Sequence, residues 1–370
     1  MNEYNKIVGK IVWWINKKEL RNFVRDILLS LPDIKDVTKI KNELLYIKNE
    51  IKYINNLNNT KVVFIKIDNW WIDDNVAILN SEHFYLLKKL LMNKNIHLVF
   101  TEYNPDIEIF SVFGGRDKIV NSNANIKIFY TGEAVKVGFK DYYDNVLDIV
   151  DLSIGFNHEK CDNYVRFPIW IWYRNNFNIF ELNKDNIHKK VVEINNIKFK
   201  KDKFASLIAR ASSNILRKDI YDKMSNIDKI SCPSNFMHND DSLKTIFNDN
   251  KNEYLKQFKF NICPENCIED GYITEKLFDA FNAGCIPIWS GDKNLEGDVI
   301  NKDAILYWDE NSDNISILKE IELLHKNDEL YDKFVSQPRL NTDNATEYIY
   351  GQIKLLHEKI EELLHKKLNL

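Results

Sequence analysis

The chain has 370 residues, 44% of them hydrophobic and 12% aromatic, with 51 basic and 55 acidic side chains giving a formal charge of -4. That length exceeds what one hydrophobic core usually holds, so two domains are expected, and the apolar content excludes a disordered protein. Interspersed charges of nearly balanced sign exclude nucleic acid as the main partner and leave any anion binding to local basic spots.

Five cysteines, Cys161, Cys232, Cys263, Cys267 and Cys285, include no CxxC and no nearby His pair. They read as reduced thiols rather than a zinc site or a disulfide framework. No stretch approaches the ~20 apolar residues of a membrane span. Asn and Lys interrupt the opening "MNEYNKIVGKIVWWINKKEL" where a signal peptide stays apolar, so a cytoplasmic protein is expected, at most peripheral to a membrane.

In chain order, residues 1–60 read as a helical extension. After the Leu31-Pro32-Asp33 break, Val37, Ile40, Leu44, Ile47, Ile51 and Ile54 alternate three- and four-residue steps, the seam of a coiled coil. Such a helix is too short to be stable alone. Ile349, Ile353, Leu356, Ile360 and Leu363 repeat the stepping in the last helix, so either the two ends pair within one chain or they make a homo-oligomer. The Lys-rich exit of that helix reads as a solvated face rather than a membrane anchor.

Between these ends, "TKVVFIKIDNWW" predicts a strand, "SEHFYLLKKLLMNKN" a helix and "IHLVFTE" a strand; "DIEIFSVFGG" and "NIKIFYTGE" are further strands ending in Gly turns. The aromatic stretch "NYVRFPIWIWYRNNF" reads as a crossing to a second unit. That unit holds a strand in "KFASLIARA", a helix in "SNILRKDIYDKMSNI" with Ile215, Leu216, Ile220 and Met224 apolar, and a strand in "YLKQFKFNI"; "CIPIWSG" and "AILYW" follow. Strands separated by helices imply parallel βαβ units and two Rossmann-like halves, with ligands at the carboxyl ends of the strands.

The scarce Gly and Pro gather in "ICPENCIEDGYITEKLFDAFNAGCIPIWSGD". Pro264, Glu265 and Asn266 turn the chain after a strand, Thr274 N-caps a helix whose apolar face is Leu277, Phe278, Ala280 and Phe281, and Gly284 ends it. The free N–H groups of that helix and Lys276 in its first turn suit a phosphate. Because Lys276 opposes the helix dipole, either an anion or a carboxylate has to accompany it.

With these residues in view, "FNICPENCIEDGYITEKLFDAFNAGCIPIWSGDKNLEGD" resembles the donor-binding signature of the family 10 glycosyltransferases, the α-1,3/4-fucosyltransferases. "KVVFIKIDNWWIDDN", "DIEIFSVFGG", "KIFYTGEAVKVGFKDYYDNVLDIVDLSIGF", "NYVRFPIWIWY" and "FASLIARASSNILRKDIYDKM" resemble other family segments in the family's order, together spanning about Lys61 to Asp309. The resemblance implies an α/β chain of GT-B architecture, two Rossmann-like domains facing across a cleft, with added helices at both ends. The implied division is an extension over 1–60, an acceptor domain over 61–165, a GDP-sugar donor domain over 166–325 and closing helices over 326–370.

The implied reaction is inverting transfer of L-fucose from GDP-fucose to a hydroxyl of a GlcNAc- or glucose-containing oligosaccharide or glycoconjugate, in α-1,3 linkage. Glu133 matches the proposed general base. Arg217 and Lys276 match the diphosphate-binding cations, and Asn266, Tyr272 and Glu275 match donor-contacting positions. Trp70 and Trp71 are candidates for stacking on the acceptor sugar, with core packing the alternative for at least one of them. Asp73 and Asp74 follow the Trp pair, but no Asp-x-Asp is placed at the phosphates. No essential metal or cofactor is therefore expected, a divalent cation being at most stimulatory. The sequence departs from the family after Glu133, where Ala134 and "KVGFK" replace the usual Asn and Pro-Asn. That departure leaves two alternatives open: a transferase of the same fold with another donor or acceptor, and a catalytically silent glycan- or nucleotide-binding scaffold.

Overall fold

The computed structural model describes residues 61–71, 96–172, 177, 183–210 and 215–369. The expected N-terminal seam, the helix "SEHFYLLKKLLMNKN", and Asp73 and Asp74 lie outside the described residues.

The first half is a parallel sheet. Its strands are β1 (Lys61–Asp68), β2 (Ile96–Phe100), β3 (Ile107–Phe110), β4 (Ile126–Tyr130), β5 (Leu152–Gly155) and β6 (Tyr164–Arg166), with helix α1 (Arg116–Asn121) between β3 and β4. The order across the sheet is β2-β1-β3-β4-β5-β6, with every ladder parallel. All four residues of β3 and of β5 are buried, Glu108 and Ser153 among them, as expected of strands covered on both faces.

The second half follows helices α2 (Ile169–Trp172) and α3 (Lys184–Asn196). It comprises β7 (Lys203–Ser206), α4 (Ile215–Met224), β8 (Ile230–Ser231), α5 (Lys251–Leu255), β9 (Phe258–Ile262), α6 (Glu275–Asn282), β10 (Ile286–Trp289) and β11 (Leu306–Tyr307). Helices α7 (Ile315–Lys326), α8 (Asp328–Val335) and α9 (Thr342–Leu368) close the chain. This sheet is also parallel, in the order β11-β10-β9-β7-β8.

Each sheet reverses its direction of growth once: the chain steps from β1 to β2 on one side and then to β3 on the other, and from β7 to β8 and then to β9. Crevices form where successive crossovers leave in opposite directions, outside the carboxyl ends of the two diverging strands. Asn69 to Trp71 and the loop after Phe110 therefore border one crevice; Leu207 and the loop starting at Cys263 border the other.

Around Arg166 and Trp170, three features join the halves. Trp170 in the wholly buried α2 stacks on Phe278 of α6, centroids 4.8 Å apart and planes 4° from parallel. Arg166 at the end of β6 makes a two-pronged pair with Glu296 of the β10–β11 loop, at 2.6 and 3.0 Å. Tyr348 of α9 accepts from Arg166 and donates to Glu296 at 2.7 Å, closing a triad.

The last helix settles part of the question left by its periodicity. Ile349, Ile353, Leu356 and Ile360 are buried in the chain's own largest core, with strand residues such as Val63 and Ile154 and with Ile187 and Val191 of α3. Its seam is thus covered within the protein, and nothing in it supports an oligomer. Leu364 rather than Leu363 completes the stripe, since a four-residue step from Ile360 keeps to the same face.

Two other apolar readings shift. Ile215 is 86% exposed, and the buried face of α4 is Arg217, Ile220 and Met224, so an arginine occupies the first position of the stripe. "KFASLIARA" forms a strand only over Lys203–Ser206, after which the backbone leaves the sheet toward the crevice.

Candidate active site

The candidate anion site is built on α6. Thr274, in extended conformation, caps the helix by accepting from the Lys276 amide, and Leu277, Phe278, Ala280 and Phe281 bury its apolar face. Gly284 takes φ +64° just past the end, a conformation open to glycine without steric cost. Polar residues of the preceding turn gather at the N-terminus. Glu265, 2% exposed, accepts from the Thr274 amide at 2.9 Å, the Thr274 hydroxyl at 2.7 Å and Lys276 Nζ at 3.2 Å.

Of the two companions allowed for Lys276, the structure shows carboxylates: Glu265 at 3.2 Å and Glu275 at 3.4 Å. Burial disfavours the ammonium, but these two charges more than offset it, and the Lys276 pKa is raised. Burial likewise works against the charge on Glu275, yet Lys276 and Lys251 win and pull its pKa down to about 2. Both groups are therefore ionised at neutral pH.

Arg217 comes from α4 and meets this turn from the other side, donating from Nη2 to Asn266 Oδ1 at 2.8 Å. Burial lowers its pKa, opposed by Glu265, Glu275 and Tyr272. Arg217 and Lys276 line one narrow cleft with Lys251, Asn261 and Pro264, at the reversal point of the second sheet. Two cations and a capped helix N-terminus beside one cleft are an arrangement chemically suited to an anionic group such as a phosphate.

Glu133 stands on the first half, just past β4. The Thr131 hydroxyl accepts from the Glu133 amide at 3.0 Å and donates to the Glu133 carbonyl at 2.9 Å, so a buried side chain fixes the backbone that carries the acid. Burial raises the Glu133 pKa; Lys276 pulls it down and Glu275 raises it again, leaving it above the ordinary glutamate range. These couplings place the carboxylate within electrostatic reach of the donor-side charges.

Ala134, the departure that follows, is 4% exposed in an apolar cluster with Phe156, Ile169 and Tyr272, and Cys267 packs against it. The small residue makes room for the Tyr272 ring, which sits 5.2 Å from Phe156 at the seam between the halves. Tyr272 is thus buried at the seam rather than lining the narrow cleft, and burial raises its pKa. Cys267 is half-buried, and burial with nearby acids lifts its thiol to about 11, so it is no thiolate at neutral pH; all five cysteines are free.

The tryptophans separate. Trp70 is 7% exposed and stacks on Trp71 at 4.8 Å and on Tyr130 at 5.7 Å; Trp71 is 41% exposed and meets Phe113 edge-on at 5.9 Å. Phe113, also 41% exposed, in turn meets Phe139 at 5.2 Å. The Trp pair therefore divides into one core residue and one exposed face, at the reversal point of the first sheet.

Glu265 was not singled out for a role by sequence reasoning, which took it as part of a turn. The signal was available in the demand of Lys276 for a carboxylate. Glu269 and Lys251 carry no comparable signal, because their partners are far away in the chain. Among the described residues no group of three or more His, Cys, Asp or Glu side chains is placed to hold a metal ion.

Two family models match the chain. One, described as the FucT N-terminal domain of α-(1,3)-fucosyltransferase, covers residues 74–173; the other, described as the C-terminal part of glycosyltransferase family 10 (fucosyltransferase), covers 197–346. The chain belongs to glycosyltransferase family 10. It is 25% identical over 329 residues to the α-(1,3)-fucosyltransferase FucT of Helicobacter pylori, covering 78% of this chain and 63% of that protein. A putative fucosyltransferase of Acanthamoeba polyphaga mimivirus is 33% identical over 95 residues, covering 26% of this chain and 16% of that protein.

The family fold is equally plain in solved structures. An α1,3-fucosyltransferase crystallised with GDP-fucose superposes with a TM-score of 0.60 at 23% identity, covering 83% of this chain and 91% of that one. Another α1,3-fucosyltransferase crystal structure gives 0.58 at 20% identity, covering 81% and 91%. The architecture is accordingly GT-B: two parallel α/β halves with helices added. No helix among the described residues is long and apolar enough to cross a membrane.

Proposed function

We propose that this family member is an inverting α-1,3-fucosyltransferase that moves L-fucose from GDP-fucose to a hydroxyl of a GlcNAc- or glucose-containing glycan. The observation that carries the reading is the conjunction of Arg217 and Lys276 at a capped helix N-terminus with Glu133 of the other half, a carboxylate that responds to the charges of Lys276 and Glu275. The resemblance to proteins described as α-1,3-fucosyltransferases supports the donor and the linkage.

In this mechanism Arg217 and Lys276 bind the diphosphate, with Asn266 orienting Arg217 and Glu265 orienting Lys276. Glu275 receives hydroxyl groups of the donor. Tyr272 shapes the donor side from the seam. The acceptor sugar lies against Trp71, and Trp70 supports that ring from behind. Glu133 takes the proton of the attacking hydroxyl as its oxygen bonds to fucose C1 from the face opposite GDP. The bond from C1 to the β-phosphate oxygen breaks in the same displacement, and the negative charge moves to GDP, where the two cations stabilise it. One displacement inverts the anomeric centre, and the protein's own cations carry the charge that a metal would otherwise neutralise. The division at 61–165 and 166–325 into acceptor and donor units follows from this reading.

Incubating the protein with a panel of GDP- and UDP-sugars and with lactose- and N-acetyllactosamine-type acceptors tests it. Fucosylated product whose linkage is read by NMR is expected from GDP-fucose alone. Turnover with another nucleotide sugar and none with GDP-fucose would replace the donor assignment. A second reading, of the same chemistry on a different acceptor, is favoured by the apolar packing of Ala134 where the family usually carries Asn. The acceptor panel separates the two.

A further inference from the structure

Three loops converge where the halves meet, and a single carboxylate joins them. Glu269, 6% exposed, belongs to the donor loop between β9 and α6. Its Oε2 accepts from the backbone amides of Lys136 at 3.0 Å and Val137 at 3.2 Å, and its Oε1 accepts from Asn157 Nδ2 at 2.8 Å. All three donors come from the first half. Beside it, the His158 ring lies 2.9 Å from Asp270, whose carboxylate also accepts from the His158 amide at 3.2 Å. At the next residue, Gly271, φ is +72° and a Cβ would stand 2.5 Å from the Phe156 carbonyl oxygen, so the approach is as close as backbone permits.

Lys136 and Val137 follow Glu133 in a tight turn closed by the Gly138 amide on the Ala134 carbonyl at 2.8 Å. The backbone carrying Glu133 is thus held on one side by Thr131 of its own half and on the other by Glu269 of the opposite half. Glu269 sits between Asn266, which contacts Arg217, and Tyr272, which packs on Ala134. We propose that Glu269 is a positioning residue: its carboxylate ties the loop of the base to the donor loop and fixes where Glu133 stands relative to the bound diphosphate. The proposal rests on the fucosyltransferase reading of Glu133.

Three donors converge on Glu269, so Glu269→Gln offers one oxygen where two are used and turns an amide N–H toward a donor. Adding Asn157→Asp re-pairs position 269, because the Gln oxygen then receives the two backbone amides while its nitrogen donates to the new carboxylate, at the expense of the 3.4 Å contact from Asn157 Nδ2 to the Asp270 carbonyl. Glu269→Gln is expected to lower kcat about tenfold through misplacement of the base, with the Kd for GDP by calorimetry changed less than about twofold. The double variant is expected to recover most of kcat. Hydrogen exchange at the Lys136 and Val137 amides, measured without nucleotide, is expected to quicken in the single variant and slow again in the double.

Wild-type kcat in Glu269→Gln, no recovery in the double variant, a loss of GDP affinity matching the loss of kcat, or unchanged exchange at the two amides would each overturn the proposal. A wild-type protein that transfers nothing from GDP-fucose would instead defeat the functional reading, and amide exchange would still decide whether Glu269 holds the loop.

Discussion

Lys276 and Glu265 form an ion pair at 3.2 Å, and the same carboxylate holds the Thr274 amide and hydroxyl, so one buried acid sets both the helix cap and the cation beside it. Glu265→Gln is expected to reduce stability by about 3 kcal/mol, because it strips a buried network of its charge. It should also weaken GDP binding by releasing Lys276. Urea unfolding and calorimetry check the two effects. Lys276→Ala and Arg217→Ala are expected to weaken GDP binding as well, each roughly tenfold or more, as charge-assisted phosphate contacts are lost.

Glu133→Gln separates chemistry from binding. Loss of a general base lowers turnover by about 10²- to 10⁴-fold, while the Kd for GDP should stay near the wild-type value. Equal loss of GDP affinity in the Glu133, Arg217 and Lys276 variants would contradict the division of roles.

The pH dependence has a definite sign. Glu133 accepts a proton only as the carboxylate, and its pKa is raised above 4.5 by burial, opposed by Lys276 and reinforced by Glu275. Activity should therefore be present above that raised pKa and be lost as pH falls through it. Glu275→Gln removes a negative neighbour and should move the acid limb of kcat to lower pH; Lys276→Met should move it higher. An acid limb at the same pH in both variants would assign it to another group.

Trp71 offers an exposed indole face, whereas Trp70 is core. Trp71→Ala should raise the acceptor KM about tenfold by removing a stacking face, with little change in GDP affinity. Trp70→Ala should instead lower the melting temperature, at a cost of about 3–5 kcal/mol for a large aromatic removed from a core. Kinetics with both substrates varied, together with calorimetric melting, distinguish the two.

Arg166, Glu296 and Tyr348 form the buried triad between β6, the β10–β11 loop and α9. Arg166→Met leaves Glu296 buried without its partner and should cost about 3–5 kcal/mol. Tyr348→Phe removes one hydrogen-bonding group and should cost about 1 kcal/mol. Chemical denaturation of the two variants gives the comparison.

The sequence made the α/β pattern legible because parallel strands buried on both faces are dense in β-branched and aromatic residues even where a polar residue interrupts them, as in "DIEIF" and "KFNI". The cap at Thr274 and the apolar face of α6 were legible for a similar reason: their partners lie within a few residues. What stayed hidden depended on distance in the chain. Periodicity placed Ile215 on a buried face because it registers apolar identity alone; it gives no weight to Arg217 turning inward toward Asn266. The partners of Glu269 lie 112 to 133 positions away, and no local pattern marks such a contact. The stepping of Ile349 to Ile360 announced a buried seam, but a stripe does not name what covers it.

What covers it is α3 together with the first sheet, and this bears on how the protein assembles. Lys61 donates to the Asn369 carbonyl at 2.9 Å, and Lys367 lies 2.9 Å from Asp151, so residues at the final turn of α9 and just beyond it dock on the strands and loops of the earlier sheet. The second sheet has its own core, from Phe204 to Tyr331, and can close while translation continues. The first sheet keeps an uncovered apolar wall until α9 has been made. A nascent chain arrested before Ile349 would thus expose that wall together with the apolar face of α6, which shares its core with the α9 stripe.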